Sequence, residues 1–137
     1  LVIPCSTVRV VAAVISREDR VLVCRRPLHK RHGGLWEFPG GKCEPGETDA
    51  LAIERELREE LAVSVRSVGE TLLALADPLS EFVVGFAPVC IEGNPECLEH
   101  SEIRWVAPDE LRRMALAPTD RAFVDWWLRR PPARRRD

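Results

Sequence analysis

The chain has 137 residues, 45% of them hydrophobic and 31% charged, with a formal net charge of −2. Such a chain is one domain's worth and buries a core without disulfide or metal staples. The charge balance argues against a strongly basic nucleic-acid binder, although five arginines within residues 129–137 hide a more acidic body.

Residues 7–15 are rich in β-branched side chains and read as a buried strand. Residues 21–24 read as a second, so residues 7–25 suggest a hairpin. Residues 26–34 form a basic loop with Arg26, His29, Lys30, Arg31 and His32. Residues 33–47, with five glycines and two prolines, read as a punctuated loop. Thr48 or Asp49 then caps a helix over about 48–62, in which Ala50, Ile53, Leu57 and Leu61 keep a three-to-four spacing. Residues 67–76 and 82–91, separated by Asp77 and Pro78, read as antiparallel strands. Residues 102–106 form a short strand, and Pro108 starts a helical turn. A last helix over about 119–129 packs one face through Phe123, Trp126 and Trp127. Residues 1–130 thus form a single α/β (α+β) domain, and residues 131–137 a Pro/Arg-rich tail expected to be disordered.

The cysteines at 5, 24, 43, 90 and 97 are odd in number and form no Cys-x-x-Cys pair. Free thiols in a reducing cytosol fit better than zinc or a disulfide framework. No apolar run nears the ~18–20 residues of a membrane span, and the first residues lack a signal-peptide layout. The expected location is cytoplasmic.

The chemistry concentrates in the helix at 48–62. Glu54, Glu56, Glu59 and Glu60 lie within seven residues. Glu56, Glu59 and Glu60 fall within an arc of roughly 100°. The plain reading is a solvated face softened by Arg55 and Arg58. Beside a glycine-rich loop, however, three carboxylates on one arc offer what Mg²⁺ or Mn²⁺ takes: oxygen ligands, with waters left to share with phosphates.

The stretch Gly41-x5-Glu47-x7-Arg55-Glu56-Leu57-x-Glu59-Glu60-x-Ala62-Val63 resembles the Nudix hydrolase signature, Gly-x5-Glu-x7-Arg-Glu-U-x-Glu-Glu-x-Gly-U, where U is bulky and aliphatic. Ala62 is the one departure among its nine specified positions. The family's glycine allows a left-handed turn, which costs alanine on the order of 1 kcal/mol unless the helix ends differently. Residues 34–42 look like the lead-in of the MutT-like branch, and residues 116–121 like the segment that closes over the base there. The resemblance implies the Nudix fold, a mixed curved β-sheet between helices.

It also implies roles. Glu56, Glu59 and Glu60 would bind the divalent metal, Mg²⁺ with Mn²⁺ able to substitute, helped by the backbone carbonyl of Gly40. Arg55 and Glu47 would be an orienting pair, since an arginine fork holds a carboxylate bidentately. Lys42 is expected on phosphate oxygens. Glu102 is expected to bind metal or activate water, against its plain reading as an exposed strand end. Glu99 and His100 are weaker candidates, and His29 and His32 read as solvated loop histidines, ahead of a reading in which they face phosphates. Asp120 reads as a helix N-cap or first-turn acid or, by resemblance, as the side chain that meets the base. Ionised, it accepts from an exocyclic amine; protonated, it also donates. Arg26, Phe38 and Phe82 are expected to line the pocket, the phenylalanines otherwise reading as core.

The implied reaction is Mg²⁺-dependent hydrolysis of a nucleoside triphosphate to the monophosphate and pyrophosphate, a nucleotide-pool sanitisation. (d)CTP or a modified cytidine nucleotide is the first choice of substrate, and 8-oxo-dGTP the second. A reading of another class, a non-catalytic module recognising an oxidised base, is opposed by the intact Glu47, Arg55, Glu56, Glu59 and Glu60. The expected partner is a small-molecule nucleotide, with no stable nucleic-acid partner and no membrane, for a monomer or homodimer.

Overall fold

The computed structural model describes residues 7–130. The tail expected at 131–137 lies outside the described residues. Eight strands form one mixed sheet: β1 (Val8–Arg17), β2 (Arg20–Arg25), β3 (Trp36–Glu37), β4 (Gly40–Lys42), β5 (Ser64–Val68), β6 (Leu73–Ala76), β7 (Phe82–Glu92) and β8 (Glu102–Val106). The helices are α1 (Asp49–Leu61) and α2 (Pro118–Leu128), with a 3₁₀ turn at Pro108–Arg112.

The spine is the order β3-β2-β1-β7-β5. β1 runs parallel to β7 over eight residue pairs, from Val8 opposite Phe82 to Ile15 opposite Val89. β1 and β2 form the expected hairpin, with Arg17 opposite Arg20. Glu18 and Asp19 between them both take positive φ, which a two-residue hairpin turn of this twist requires.

β1 reads as a continuous apolar run because both of its faces are covered. Val11, Ala13 and Ile15 join a core with Ile53, Leu57 and Leu61 of α1. Ala12 and Val14 join a second core with Phe123, Val124 and Trp127 of α2. The sheet is therefore sandwiched between α1 on one face and α2 on the other.

Two corrections concern the strands. The punctuated loop contains β3 and β4, too short to show a period. β4 pairs with β1, Gly40 opposite Ala12. A Cβ on Gly40 would lie 1.9 Å from the Val11 carbonyl oxygen, so only glycine allows that approach. The run 67–76 is not one strand either. β5 and β6 are separate, and both pair antiparallel with β7, with a register shift in β5 between Val65 and Ser67.

Candidate active site

Thr48 opens α1, its hydroxyl accepting from the Leu51 N–H at 3.2 Å. Ile53, Leu57 and Leu61 turn into the core as expected, and Ala52 is buried where Ala50 is only half-buried. Ala62 adopts the left-handed conformation, φ 56° and ψ 37°, and its N–H reaches the Arg58 carbonyl. The helix thus ends as it would with glycine, at alanine's strain cost.

With the apolar stripe fixed, the glutamates are sorted by depth. Glu60 is buried at 5% exposure. The Glu56 carboxylate is mostly covered and packs against Gly41, where a Cβ would lie 1.7 Å from Oε2. Glu59 is half exposed, with Oε1 3.5 Å from Arg55 Nη1. Burial, then the charge of Glu56, then that of Glu37 push the Glu60 carboxyl up to about 9. Burial also raises the Glu56 carboxyl, which interacts electrostatically with that of Glu60.

Arg55 holds the glycine loop against this helix. Its Nε donates to Glu47 Oε2 at 2.7 Å and its Nη2 to Glu47 Oε1 at 2.9 Å, while Nη2 also reaches the Lys42 carbonyl. The Glu44 N–H donates to Glu47 as well. Arg55 first and that N–H second lower the Glu47 carboxyl to about 2.

Among the described residues, no three Asp, Glu, His or Cys side chains already gather as a finished metal site. The donor set nevertheless fits a hard divalent cation. Glu60 Oε1 is buried without a hydrogen-bond partner. Two neighbouring carboxyls whose burial favours the neutral form are ligands that a cation would deprotonate. Glu59 stands about one turn from Glu56 and directly precedes Glu60 on the same helix.

Two cavities meet here. One of about 290 Å³ is lined by Glu56, Glu60, Glu99 and His100. The other, of about 240 Å³, is lined by Phe38, Phe82, Val84, Pro118, Thr119 and Asp120, with His32 at its wall. Arg26, Glu37, Gly40, Gly41 and Lys42 border both. The first chamber is carboxylate-lined and the second largely apolar. Lys42 Nζ sits 4.9 Å from the Phe82 ring centroid, so the expected phosphate ligand lies at the junction.

Phe38 is both core and pocket wall. It is buried, edge-on to Phe86 and Phe123 at 6.1 and 5.7 Å. Of the two plain readings of Asp120 the first-turn acid holds, since Ala117 takes the cap position; its Oδ2 accepts from the Phe38 N–H at 2.9 Å. Burial, then Glu37, raise its carboxyl to about 7.

Glu102 is a correction. Its neighbours Ile103 and Trp105 pack on the α1 side of the sheet, so strand alternation turns Glu102 to the opposite face. There it pairs with Arg104 at 2.7 Å, and it lines neither cavity. The later-loop carboxylate that lines the chamber with Glu56 and Glu60 is Glu99. Its loop docks on the end of α1, where the N–H groups of Glu96 and Leu98 donate to the carbonyls of Leu61 and Glu60. His29 lines neither cavity. Glu37, unremarked in the sequence, sits between the chambers. Arg26 Nη1 donates to both of its oxygens at 3.0 and 3.2 Å, and His100 Nε2 lies 3.1 Å from Oε2. Its signal was the single polar residue between Trp36 and Phe38, which alternation sends to the face opposite theirs.

A carboxylate-bearing helix, clasped by an arginine to a glycine loop and adjoining an apolar chamber, defines a site for cation-assisted chemistry on a phosphorylated ligand. The chain matches the model of the NUDIX domain over residues 6–127 and belongs to that family. It is a Nudix hydrolase, acting on phosphoric anhydride bonds of small nucleotide substrates in a family that uses divalent cations. It is 34% identical to the CTP pyrophosphohydrolase of Escherichia coli (strain K12), over 95% of this chain and 98% of that one. An 8-oxo-dGTP diphosphatase of Proteus vulgaris is 44% identical over 52 residues, 38% of this chain and 46% of the relative. The solution structure of the E. coli ORF135 protein superposes with a TM-score of 0.79 at 34% identity, covering 96% of this chain and 95% of that one. A MutT NUDIX hydrolase from Burkholderia pseudomallei gives 0.77 at 25% identity, covering 87% and 96%.

Proposed function

We propose that this chain hydrolyses a cytidine-type nucleoside triphosphate, (d)CTP or a modified form, to the monophosphate and pyrophosphate. The observation that carries this reading is the buried Asp120 carboxylate at the wall of an apolar chamber that adjoins the carboxylate-lined one. Ionised, it accepts from the exocyclic amine of cytosine. The similarity to a CTP pyrophosphohydrolase over almost the whole chain supports the same base. The second reading, 8-oxo-dGTP, draws on the Proteus relative, and a guanine amine also satisfies Asp120.

Glu56, Glu59 and Glu60 would hold Mg²⁺, or Mn²⁺ in its place, with the Gly40 carbonyl and Glu99 beside them. The cation, when bound, would neutralise phosphate charge and lower the pKa of a water. Arg55 and Glu47 keep the loop and helix in register, and Lys42 and Arg26 meet phosphate oxygens at the junction. Phe38 and Phe82 shape the base chamber. The role is sanitisation of the nucleotide pool, a cytoplasmic contribution to DNA repair. Among the described residues no helix is long and apolar enough to cross a membrane.

The test is pyrophosphate and orthophosphate release from dCTP, CTP, 5-methyl-dCTP, 8-oxo-dGTP, dGTP and a diadenosine polyphosphate, each with Mg²⁺ and Mn²⁺. The expected result is preference for a cytidine nucleotide, pyrophosphate as product, and loss of most turnover in Glu59→Gln with the fold intact. Preference for 8-oxo-dGTP overturns the cytidine assignment. Near-wild-type turnover in Glu59→Gln overturns the role of that carboxylate.

A further inference from the structure

At the wall of the carboxylate-lined chamber lies a buried imidazole that the proposed reaction does not use. The His100 side chain is 8% exposed. Nε2 is 3.1 Å from Glu37 Oε2, and Glu37 is itself gripped by Arg26. Nδ1 points the other way, 4.0 Å from Glu60 Oε1. Both Nδ1 and that oxygen are buried without a hydrogen-bond partner.

Two unpaired buried polar atoms facing each other are a costly arrangement unless a proton, a water or a small closure joins them. A movement of about 1 Å brings them within hydrogen-bond reach. The backbone around His100 is tied down on both sides. The Leu98 N–H donates to the Glu60 carbonyl, and the Ser101 N–H to the Arg25 carbonyl. The Cys97 thiol donates to the His100 carbonyl at 3.1 Å. His100 is therefore anchored to α1 and β2 while its ring spans from Glu37 to Glu60.

We propose that His100 is a positioning residue that holds the Glu60 carboxylate on the cation face of α1 and ties that face, through Glu37, to Arg26 at the chamber junction. The inference rests on the reading of Glu56, Glu59 and Glu60 as cation ligands. An outer partner of a ligating carboxylate typically accounts for 10–100-fold in metal affinity.

Two substitutions separate the two contacts. The amide of His100→Gln reaches the place of Nε2 and keeps Glu37. The amide of His100→Asn lies near Nδ1 and keeps Glu60. Mn²⁺ binding to the full chain without nucleotide is measured by calorimetry, with the melting temperature recorded in chelator. The expected result for His100→Gln is a melting temperature near wild type with Mn²⁺ affinity lowered about tenfold or more. His100→Asn should keep more of the affinity and lose more of the melting temperature. Mn²⁺ affinity of His100→Gln within twofold of wild type overturns the inference. So does affinity that falls in parallel with melting temperature in both variants, since that describes a merely structural histidine. If wild type itself does not bind Mn²⁺, the cation reading fails and the inference with it. Wild-type binding beside an unaffected His100→Gln removes the inference alone.

Discussion

Asp120, in the first turn of α2, accepts a hydrogen bond from the Phe38 backbone N–H at 2.9 Å, across 82 residues of chain. The contact joins the helix on one face of the sheet to the corner between β3 and β4, where the two chambers meet. It also makes that first-turn acid a buried carboxylate at the wall of the base chamber.

Asp120→Asn is expected to keep that link, because the amide oxygen still accepts from Phe38. The raised carboxyl means that the unfolded chain ionises first, so wild type loses stability as pH rises from 3.8 through about 7. The asparagine variant should lack this decline, a difference of at most about 4 kcal/mol. If the ionised form reads an exocyclic amine, discrimination between bases should sharpen from pH 6 to 8 in wild type and stay flat in the variant. Relative kcat/KM across the nucleotide panel at several pH values checks this.

Glu60 gives a second pH signature of the same sign. With its carboxyl raised from 4.5 to about 9, the cation-free protein loses stability as pH climbs between those values. Glu60→Gln should flatten the decline and melt several degrees higher than wild type at pH 8 in chelator. It should also lose the thermal shift that Mg²⁺ gives wild type. Melting curves with chelator and with Mg²⁺ at pH 5, 7 and 9 measure both effects.

The Glu47–Arg55 pair has the opposite sign. Glu47 is lowered from 4.5 to about 2, so its contribution is fully present above 4.5 and is lost as pH falls through 2. Arg55→Ala returns Glu47 toward its ordinary value and frees the loop from the helix. Acid unfolding of the variant should lose the part of its pH dependence between 4.5 and 2, and kcat should fall at least tenfold.

Gly41 carries no ligand, yet Gly41→Ala should damage the cation site. Its backbone φ lies outside the left-handed region, so alanine is free of conformational strain there. The added methyl would occupy the place of Glu56 Oε2 and push that carboxylate aside. A melting temperature near wild type in chelator is expected, with Mn²⁺ affinity reduced tenfold or more. Unchanged affinity would show that Glu56 can ligate from another rotamer.

The sequence by itself determined the family, α1 and the carboxylates it carries. The reason is that helical geometry is local: a fixed spacing puts Glu56, Glu59 and Glu60 on one arc whatever surrounds them. Thr48 as cap, the β1–β2 hairpin and the apolar stripe of α1 were legible for the same reason. Which carboxylate joins them from elsewhere was not local. Glu99 faces the site because its loop docks on the last carbonyls of α1, and Glu102 turns away because β8 pairs with β2 in one register. β3 and β4 were hidden because two- and three-residue strands have no period, and their partners lie far off in the chain. Only the tertiary structure set Asp120 against the Phe38 N–H, placed Glu37 between the chambers and brought His100 to the carboxylate-lined one. Those contacts join segments far apart in the chain, and no spacing along it encodes which face a distant loop will reach.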